Sequence, residues 1–284
     1  MYPDNTLCYL NGEYLPLADA RVPVLDRGFI FGDGIYEVVP VYRRKPFRLE
    51  QHLDRLQRSL AEVRIGNPHT RGQWRSIIDR LIQSGAGADL TVYLQVTRGV
   101  ARRDFAFPKD AVPTVFAMAS ALTRPSAAQR DQGLRAISVP DLRWLRCDIK
   151  SVSLLGAVLA RQQAADQGVD EVIQHRDARL TEGSASNIWV VRSGRVLAPP
   201  RDNLILEGIR YGFIESMCAS NAIPLEVRQI SMDEVRDADE LMLSAATREI
   251  LPIVQLDGRA VGSGRPGPVY RQLRLAYDAA IEAL

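Results

Sequence analysis

Lysine is nearly missing from this 284-residue sequence: three stand among its 36 basic residues, at Lys45, Lys109 and Lys150. A guanidinium stays protonated in proteins, so chemistry that needs a neutral primary amine has three side-chain candidates. Cysteine is equally sparse. Cys8, Cys147 and Cys218 share no metal-type spacing, and their odd number argues against a disulfide framework, which points to a reducing, cytoplasmic setting with no metal. No apolar run approaches the roughly 18 residues of a membrane helix, and Met1 to Gly12 lacks the basic-then-apolar pattern of a signal peptide. The net charge is +2 without a basic cluster, so nucleic acid is not an expected partner. Repeats and low-complexity tracts are absent.

What remains is an ordinary globular balance, 46% hydrophobic and 25% charged, long enough for one large or two smaller domains. Leu7–Leu15 reads as a strand pair turned at Asn11-Gly12, and Asp26 to Glu37, with Gly28, Gly32 and Gly34, as a bent loop. Val38–Tyr42 and Phe47–Leu49 form a second hairpin around Arg43-Arg44-Lys45-Pro46. Leu53, Leu56, Leu60 and Val63 share one face of a helix over Glu50–Val63, followed by a helix at Gln73–Gln83 and strands at Leu90–Thr97 and Val112–Ala119. Residues 122–133 are polar, contain Pro125 and lack an apolar period, so they read as a linker between domains at 1–121 and 134–284. Beyond it, short strands accompany helices at Ser153–Gln167, Ile209–Ala219 and from Pro268 onward, and Ser231-Met-Asp-Glu234 has the spacing of a capping box. The pattern predicts an α+β first domain and a strand-rich, barrel-like second one.

Lys45 lies in a charged turn and Lys109 between Pro108 and Asp110, both surface settings. Lys150 differs, with apolar residues on both sides across Trp144 to Leu155, just before a helix. Such surroundings disfavour the charged form and leave the amine nucleophilic, as Schiff-base chemistry requires; a structural lysine at a strand–helix junction has the same local sequence. In Leu180-Thr-Glu-Gly-Ser-Ala-Ser-Asn-Ile188, small polar residues leave one carboxylate, Glu182, where a ligand can approach the backbone. An ordinary hairpin loop is the alternative. A glutamate opposite a pyridine nitrogen would keep it protonated and make the ring a better electron sink. On the Glu50–Val63 helix, His52, Arg55, Ser59 and Glu62 lie opposite the leucines: a solvated face, unless Arg55 turns its planar fork of donors to a phosphate. Gly208-Ile209-Arg210, at a helix start, offers backbone N–H groups to an anion.

In order along the chain, Asp26-Arg-Gly…Gly32-Asp-Gly-Ile-Tyr-Glu37, His52-Leu-Asp-Arg55-Leu, Thr97-Arg-Gly99, Cys147-Asp-Ile-Lys150-Ser, Thr181-Glu-Gly-Ser-Ala-Ser-Asn187 and Leu206-Glu-Gly-Ile209 resemble the class IV (fold type IV) aminotransferases. Trp144–Leu155 is most similar to bacterial D-amino-acid aminotransferases. Each match is modest, but together they cover almost the whole chain and are specific. The resemblance implies pyridoxal 5′-phosphate as cofactor, with Lys150 as its Schiff-base lysine and general base and Glu182 as partner of the pyridine nitrogen. It further implies Arg55 and the Ile209 backbone at the phosphate, and Tyr36 near the substrate. It also implies a small α/β domain, a larger pseudobarrel with the cofactor between them, a homodimer, and ping-pong transamination between a D-alanine-like D-amino acid and a 2-oxo acid.

Three departures from the family pattern stand out. D-amino-acid members hold the substrate carboxylate with an Arg-X-His loop lent by the other subunit, and Arg103-Asp104-Phe105 takes that place, so the trap must differ or be weaker. Arg210 stands where a phosphate-binding threonine is common, and Ala246 at a second such position. Arg210 either supplies a charge-assisted contact in their stead or points elsewhere, with Thr247 as a nearby substitute. Branched-chain L-amino-acid and (R)-amine transaminases share the scaffold, as does the lyase that makes 4-aminobenzoate from aminodeoxychorismate; a non-catalytic arginine-rich binder is a further class. Cys147-Asp-Ile-Lys-Ser and Arg103 favour D-amino acids.

Overall fold

Asn11 and Gly12 both take positive φ, 50° and 104°, the conformation a two-residue mirror-type turn requires, and so join β1 (Leu7–Leu10) to β2 (Glu13–Pro16). The computed structural model containing this hairpin describes residues 5–284. The chain forms two units. The first runs to Thr123 and takes in Ile149–Leu154 and Leu284; the second comprises Arg124–Asp148 and Leu155–Ala283.

The glycine-bearing stretch expected as a loop holds a short helix, α1 (Arg27–Phe31), because Asp26 caps it by accepting from the Gly28 N–H and Gly32 ends it at φ 65°. Then come β3 (Gly34–Tyr42), longer than its expected hairpin arm, a tight turn at Arg43-Arg44, β4 (Lys45–Pro46), α2 (Leu49–Glu62), α3 (Arg71–Ser84), β5 (Leu90–Thr97) and β6 (Thr114–Ala121). The six strands pair antiparallel in the order β2-β1-β6-β5-β3-β4. Period-two alternation turns Ile35, Val39 and Val41 of β3 and Leu90, Val92, Leu94 and Val96 of β5 toward the leucines of α2 and Trp74, Ile78 and Leu81 of α3. Burying each such leucine contributes ~1.5–3 kcal/mol.

Ile149–Leu154 adds to the edge of this sheet. Ser151 bridges Ile35, the Tyr36 N–H donates to the Lys150 carbonyl at 3.1 Å, and the Val152 N–H donates to the Gly34 carbonyl at 3.0 Å. Alternation then sends Ile149 into the core and leaves Lys150 on the face of Tyr36.

In the second unit, residues 122–133 include a helix, α4 (Ala127–Asp131), and Arg124 and Arg130 both reach Glu249, each at 2.9 Å. There follow β7 (Leu134–Pro140), α5 (Leu155–Asp166), β8 (Glu171–Arg176), β9 (Arg179–Gly183), β10 (Asn187–Arg192), β11 (Arg195–Ala198), α6 (Ile209–Ser220), β12 (Leu225–Val227), α7 (Met232–Arg236), β13 (Glu240–Ala245), β14 (Glu249–Leu256), β15 (Arg259–Ala260) and α8 (Pro268–Glu282). The strand order is β12-β11-β10-β13-β14-β7-β8-β9, with β15 beside β14. β9 and β10 lie five steps apart in that order, ~24 Å in a flat sheet, yet the link from Gly183 to Asn187 spans at most ~14 Å. The sheet therefore curls back on itself, the half-barrel expected of an α+β chain. Among the described residues, no helix is long and apolar enough to cross a membrane.

Candidate active site

Lys45 and Lys109 are exposed, whereas Lys150 is half-buried, with Nζ 4.0 Å from the centroid of the Tyr36 ring. Its backbone N–H donates to Ser59 Oγ on α2 at 3.5 Å. The Tyr36 ring lies 5.9 Å from that of Tyr93, whose hydroxyl burial pushes up to about 12, with Tyr36 adding to the shift.

The polar side of α2 is not a solvated face: His52, Arg55 and Ser59 are all buried. The cause is Glu37, a carboxylate on the core-facing side of β3, which draws these groups inward. Arg55 Nε and Nη2 donate to its two oxygens at 2.7 and 2.8 Å, and His52 Nδ1 lies 2.7 Å from Oε2. Burial alone would raise the Glu37 carboxyl, but the Arg55 charge and both partners' hydrogen bonds hold it well below the usual range.

Arg103 stands on an exposed loop, its guanidinium 5.4 and 5.8 Å from the ring centroids of Phe31 and Phe105. Arg27 grips the loop backbone, donating to the carbonyls of Asp104 at 2.5 Å and Phe105 at 3.4 Å.

In the second unit, Glu182 ends β9 with its carboxylate buried. Oε2 accepts from the Asn187 amide at 3.2 Å and the Leu206 N–H at 3.1 Å, and Oε1 accepts from Arg143 Nη1. Burial raises the Glu182 carboxyl above its ordinary value, with the Arg143 charge pulling the other way. The loop after it is clamped from below by Glu171, which accepts from the Ser184 N–H and hydroxyl at 3.1 and 2.5 Å and pairs with Arg248 at 2.6 Å.

Asn187 ties this loop to the start of α6, since its Oδ1 accepts from the Gly208 N–H at 3.2 Å. Gly208 is the N-cap of α6 and gives it no side-chain cap, so the first N–H groups of the helix, beginning with Ile209, are open to an anion. A Cβ at Gly208 would run into Asn187 Oδ1, which explains the glycine. Arg210, 1% exposed, turns into the second unit with Nη2 3.3 Å from the Ala246 carbonyl, in the half-buried turn that carries Thr247.

The first unit thus joins Lys150 with Tyr36 and Arg55 with Glu37. The second joins Glu182 with Asn187 and the Ile209 turn, and Arg210 with the Thr247 turn. Glu37, Asp141, Arg143 and Asn187 were not singled out as site residues in the sequence. A carboxylate at an inward position of an alternating strand was the signal for Glu37.

The amino-transferase class IV family pattern matches residues 34–256. The chain is 37% identical to the D-alanine aminotransferase of Staphylococcus haemolyticus over 98% of its own length and 99% of that protein's, and 35% identical to that of Bacillus licheniformis over 95% of each. Its fold matches the branched-chain amino acid aminotransferase of Escherichia coli with a TM-score of 0.92 at 23% identity, covering 97% of this chain and 94% of that one. A fold IV-transaminase from Curtobacterium pusillum gives 0.81 at 28% identity, covering 96% and 93%. The chain is a fold type IV protein and belongs to the class IV aminotransferase family.

Proposed function

We propose that this enzyme moves the amino group of a D-amino acid, with D-alanine as the reference donor, to a 2-oxo acid, with pyridoxal 5′-phosphate as cofactor. The observation that carries the reading is the end-to-end similarity to D-alanine aminotransferases, 37% over 98% of the chain. The likeness to branched-chain enzymes, at 22–23% identity, speaks for the fold alone. One of those neighbours is a complex with pyridoxamine 5′-phosphate.

The donor set fits the cofactor. Lys150 is the amine for its aldehyde, buried Glu182 the acceptor for its ring nitrogen, and the open first turn of α6 the seat for its phosphate, with Arg55 as a fork-shaped cation. The bound cofactor supplies an aldehyde that condenses with amines and a ring that takes up the electron pair released at the donor's Cα. Lys150 Nζ, once displaced by the donor amine, takes the Cα proton and returns it on the other side of the nitrogen. Glu182 keeps a proton on the ring nitrogen. Tyr36 packs beside the reacting amine and limits its motion. Arg210 and Thr247 complete the phosphate seat. A second 2-oxo acid takes the amino group in the return half-reaction, with ping-pong kinetics.

The carboxylate is held by Arg103 of a second copy. Exposed apolar side chains support such a homodimer: Val24, Phe29 and Val112 in the first unit, Leu142, Leu155 and Val158 in the second. The domains at 1–121 and 134–284, joined by 122–133, and a cytoplasmic location, supported by three buried free thiols, belong to the same reading.

Lys150→Ala is expected to lower turnover about 10⁴-fold or more and to remove the borohydride-reducible absorbance. Survival of both sinks the lysine assignment. Single-turnover rates with D-alanine, L-leucine and (R)-1-phenylethylamine test the donor class. D-alanine should be fastest, and L-leucine in first place would overturn the D-amino-acid reading.

A further inference from the structure

Glu182 has little acceptor capacity left. A carboxylate offers about four lone-pair positions; Asn187 and Leu206 take two on Oε2, and Arg143 takes one on Oε1. The remaining position is on Oε1, the oxygen that Arg143 already holds. Arg143 is itself fixed: its Nε and Nη2 donate to Asp141 at 2.9 and 2.7 Å, and its backbone N–H donates to the same carboxylate at 3.0 Å. Asp141 is held by the Thr181 hydroxyl at 2.9 Å and by Arg176 at 3.2 Å. Thr181 precedes Glu182 on β9, so Thr181, Asp141, Arg143 and Glu182 form a closed relay. Two carboxylates face two guanidinium groups, and the set is neutral only with Glu182 ionised. The nearby Cys147 thiol, which burial pushes up to about 11, adds no charge near neutral pH.

We propose that Arg143 is a positioning residue that keeps Glu182 ionised and weakly basic, so that the proton it shares with the cofactor's ring nitrogen rests on nitrogen. This rests on the reading of Glu182 as the partner of that nitrogen. Desolvation alone strengthens the carboxylate's hold on a proton, and a cation hydrogen-bonded to the same oxygen weakens it. Without Arg143, the buried carboxylate becomes the stronger base, takes the proton, and leaves the ring a poorer electron sink.

The test is the ¹⁵N resonance of the ring nitrogen in holoenzyme loaded with ¹⁵N-labelled pyridoxal phosphate. Wild type and Glu182→Gln mark the protonated and unprotonated ends of the scale. If Glu182→Gln leaves the resonance at the wild-type position, the role of Glu182 itself fails. If Glu182→Gln moves it, Arg143→Met should move it most of the same distance, and Arg143→Lys, which keeps the charge, should stay near wild type. Arg143→Met unpairs two buried carboxylates, so Asp141→Asn/Arg143→Met is measured beside it as a variant that removes a charge pair together. A wild-type resonance in either Met-containing variant overturns the proposal. Cofactor dissociation, followed by absorbance, should rise about 10–100-fold in the same variants, the effect of losing a hydrogen bond to a charged group. A merely structural Arg143 would lower stability without moving the nitrogen resonance.

Discussion

Glu37 and Glu182 are both buried and both hydrogen-bonded to an arginine, yet their carboxyls shift in opposite directions. In the first unit, Arg55 and His52 converge on Glu37 and drive its proton affinity far down. In the second, Arg143 divides itself between Asp141 and Glu182, and burial wins, leaving Glu182 raised. The difference lies in how the cation is shared. A carboxylate that receives a whole guanidinium and a second donor is a finished structural ion group. One that receives a single guanidinium N–H, with a lone pair to spare, is poised to hold another proton donor.

The sharpest way to break this comparison is to neutralise each carboxylate in turn. Glu37→Gln removes the charge on which Arg55 and His52 converge, and breaking a buried ion pair costs about 3–5 kcal/mol. Urea unfolding of the cofactor-free protein should show that loss through Trp74, buried in the first unit's core. Glu182→Gln leaves Arg143 still paired with Asp141, so the cofactor-free protein should change by less than about 1 kcal/mol. Its turnover should nevertheless fall about 10²–10³-fold, as when an aligned electrostatic partner is removed. Equal destabilisation by the two substitutions would erase the distinction.

A smaller effect sharpens it through pH. Glu37 has a folded value below its unfolded one, so its contribution is fully present above the ordinary glutamate range and is lost as pH falls below it. Glu182 has a folded value above its unfolded one, so its contribution is present below that range and is lost as pH rises through the elevated value. Each slope is bounded by about 1.4 kcal/mol per pH unit. In cofactor-free protein, Glu37→Gln should flatten the acid limb of stability against pH, to which Asp33 and Asp141 also contribute. Glu182→Gln should flatten the opposite limb. Both substitutions acting on one limb would contradict the opposite shifts.

The sequence made Lys150 legible because elimination left three amines and only one lay among apolar neighbours. Helices α2, α3, α6 and α8 were legible from their periods and caps, which are local properties. The burial of α2's polar side was not, because a period records which residues are apolar and not what the opposite face meets. That answer depended on Glu37, 18 residues before Arg55 and on another element. The Asp141–Thr181 and Arg143–Glu182 contacts join positions about 40 residues apart, and no local pattern encodes such pairings. β9 (Arg-Leu-Thr-Glu-Gly) and the three-residue β12 escaped for a related reason: both are too short and too polar to alternate, and exist because neighbouring strands pair with them.

The smallest expected effect lies where neither glutamate reaches. Phe105 is 79% exposed, and its ring lies 5.5 Å from Phe31 while Arg27 holds the loop backbone beneath it. An exposed side chain on an anchored backbone can be exchanged with little effect on folding, so Phe105→His should stay within about 0.5 kcal/mol of wild type. If the loop faces a substrate carboxylate, the imidazole adds a donor to Arg103. One net hydrogen bond of ~1 kcal/mol then lowers KM for D-alanine about fivefold, with kcat little changed, because the carboxylate is bound alike in ground and transition states. The buried pairs act oppositely: Glu182→Gln should change kcat, and Glu37→Gln should change stability. Should Phe105→His leave KM for D-alanine unmoved while improving it for L-leucine, the loop does not receive the D-amino-acid carboxylate, and the division between an exposed specificity loop and two buried charge centres would have to be redrawn.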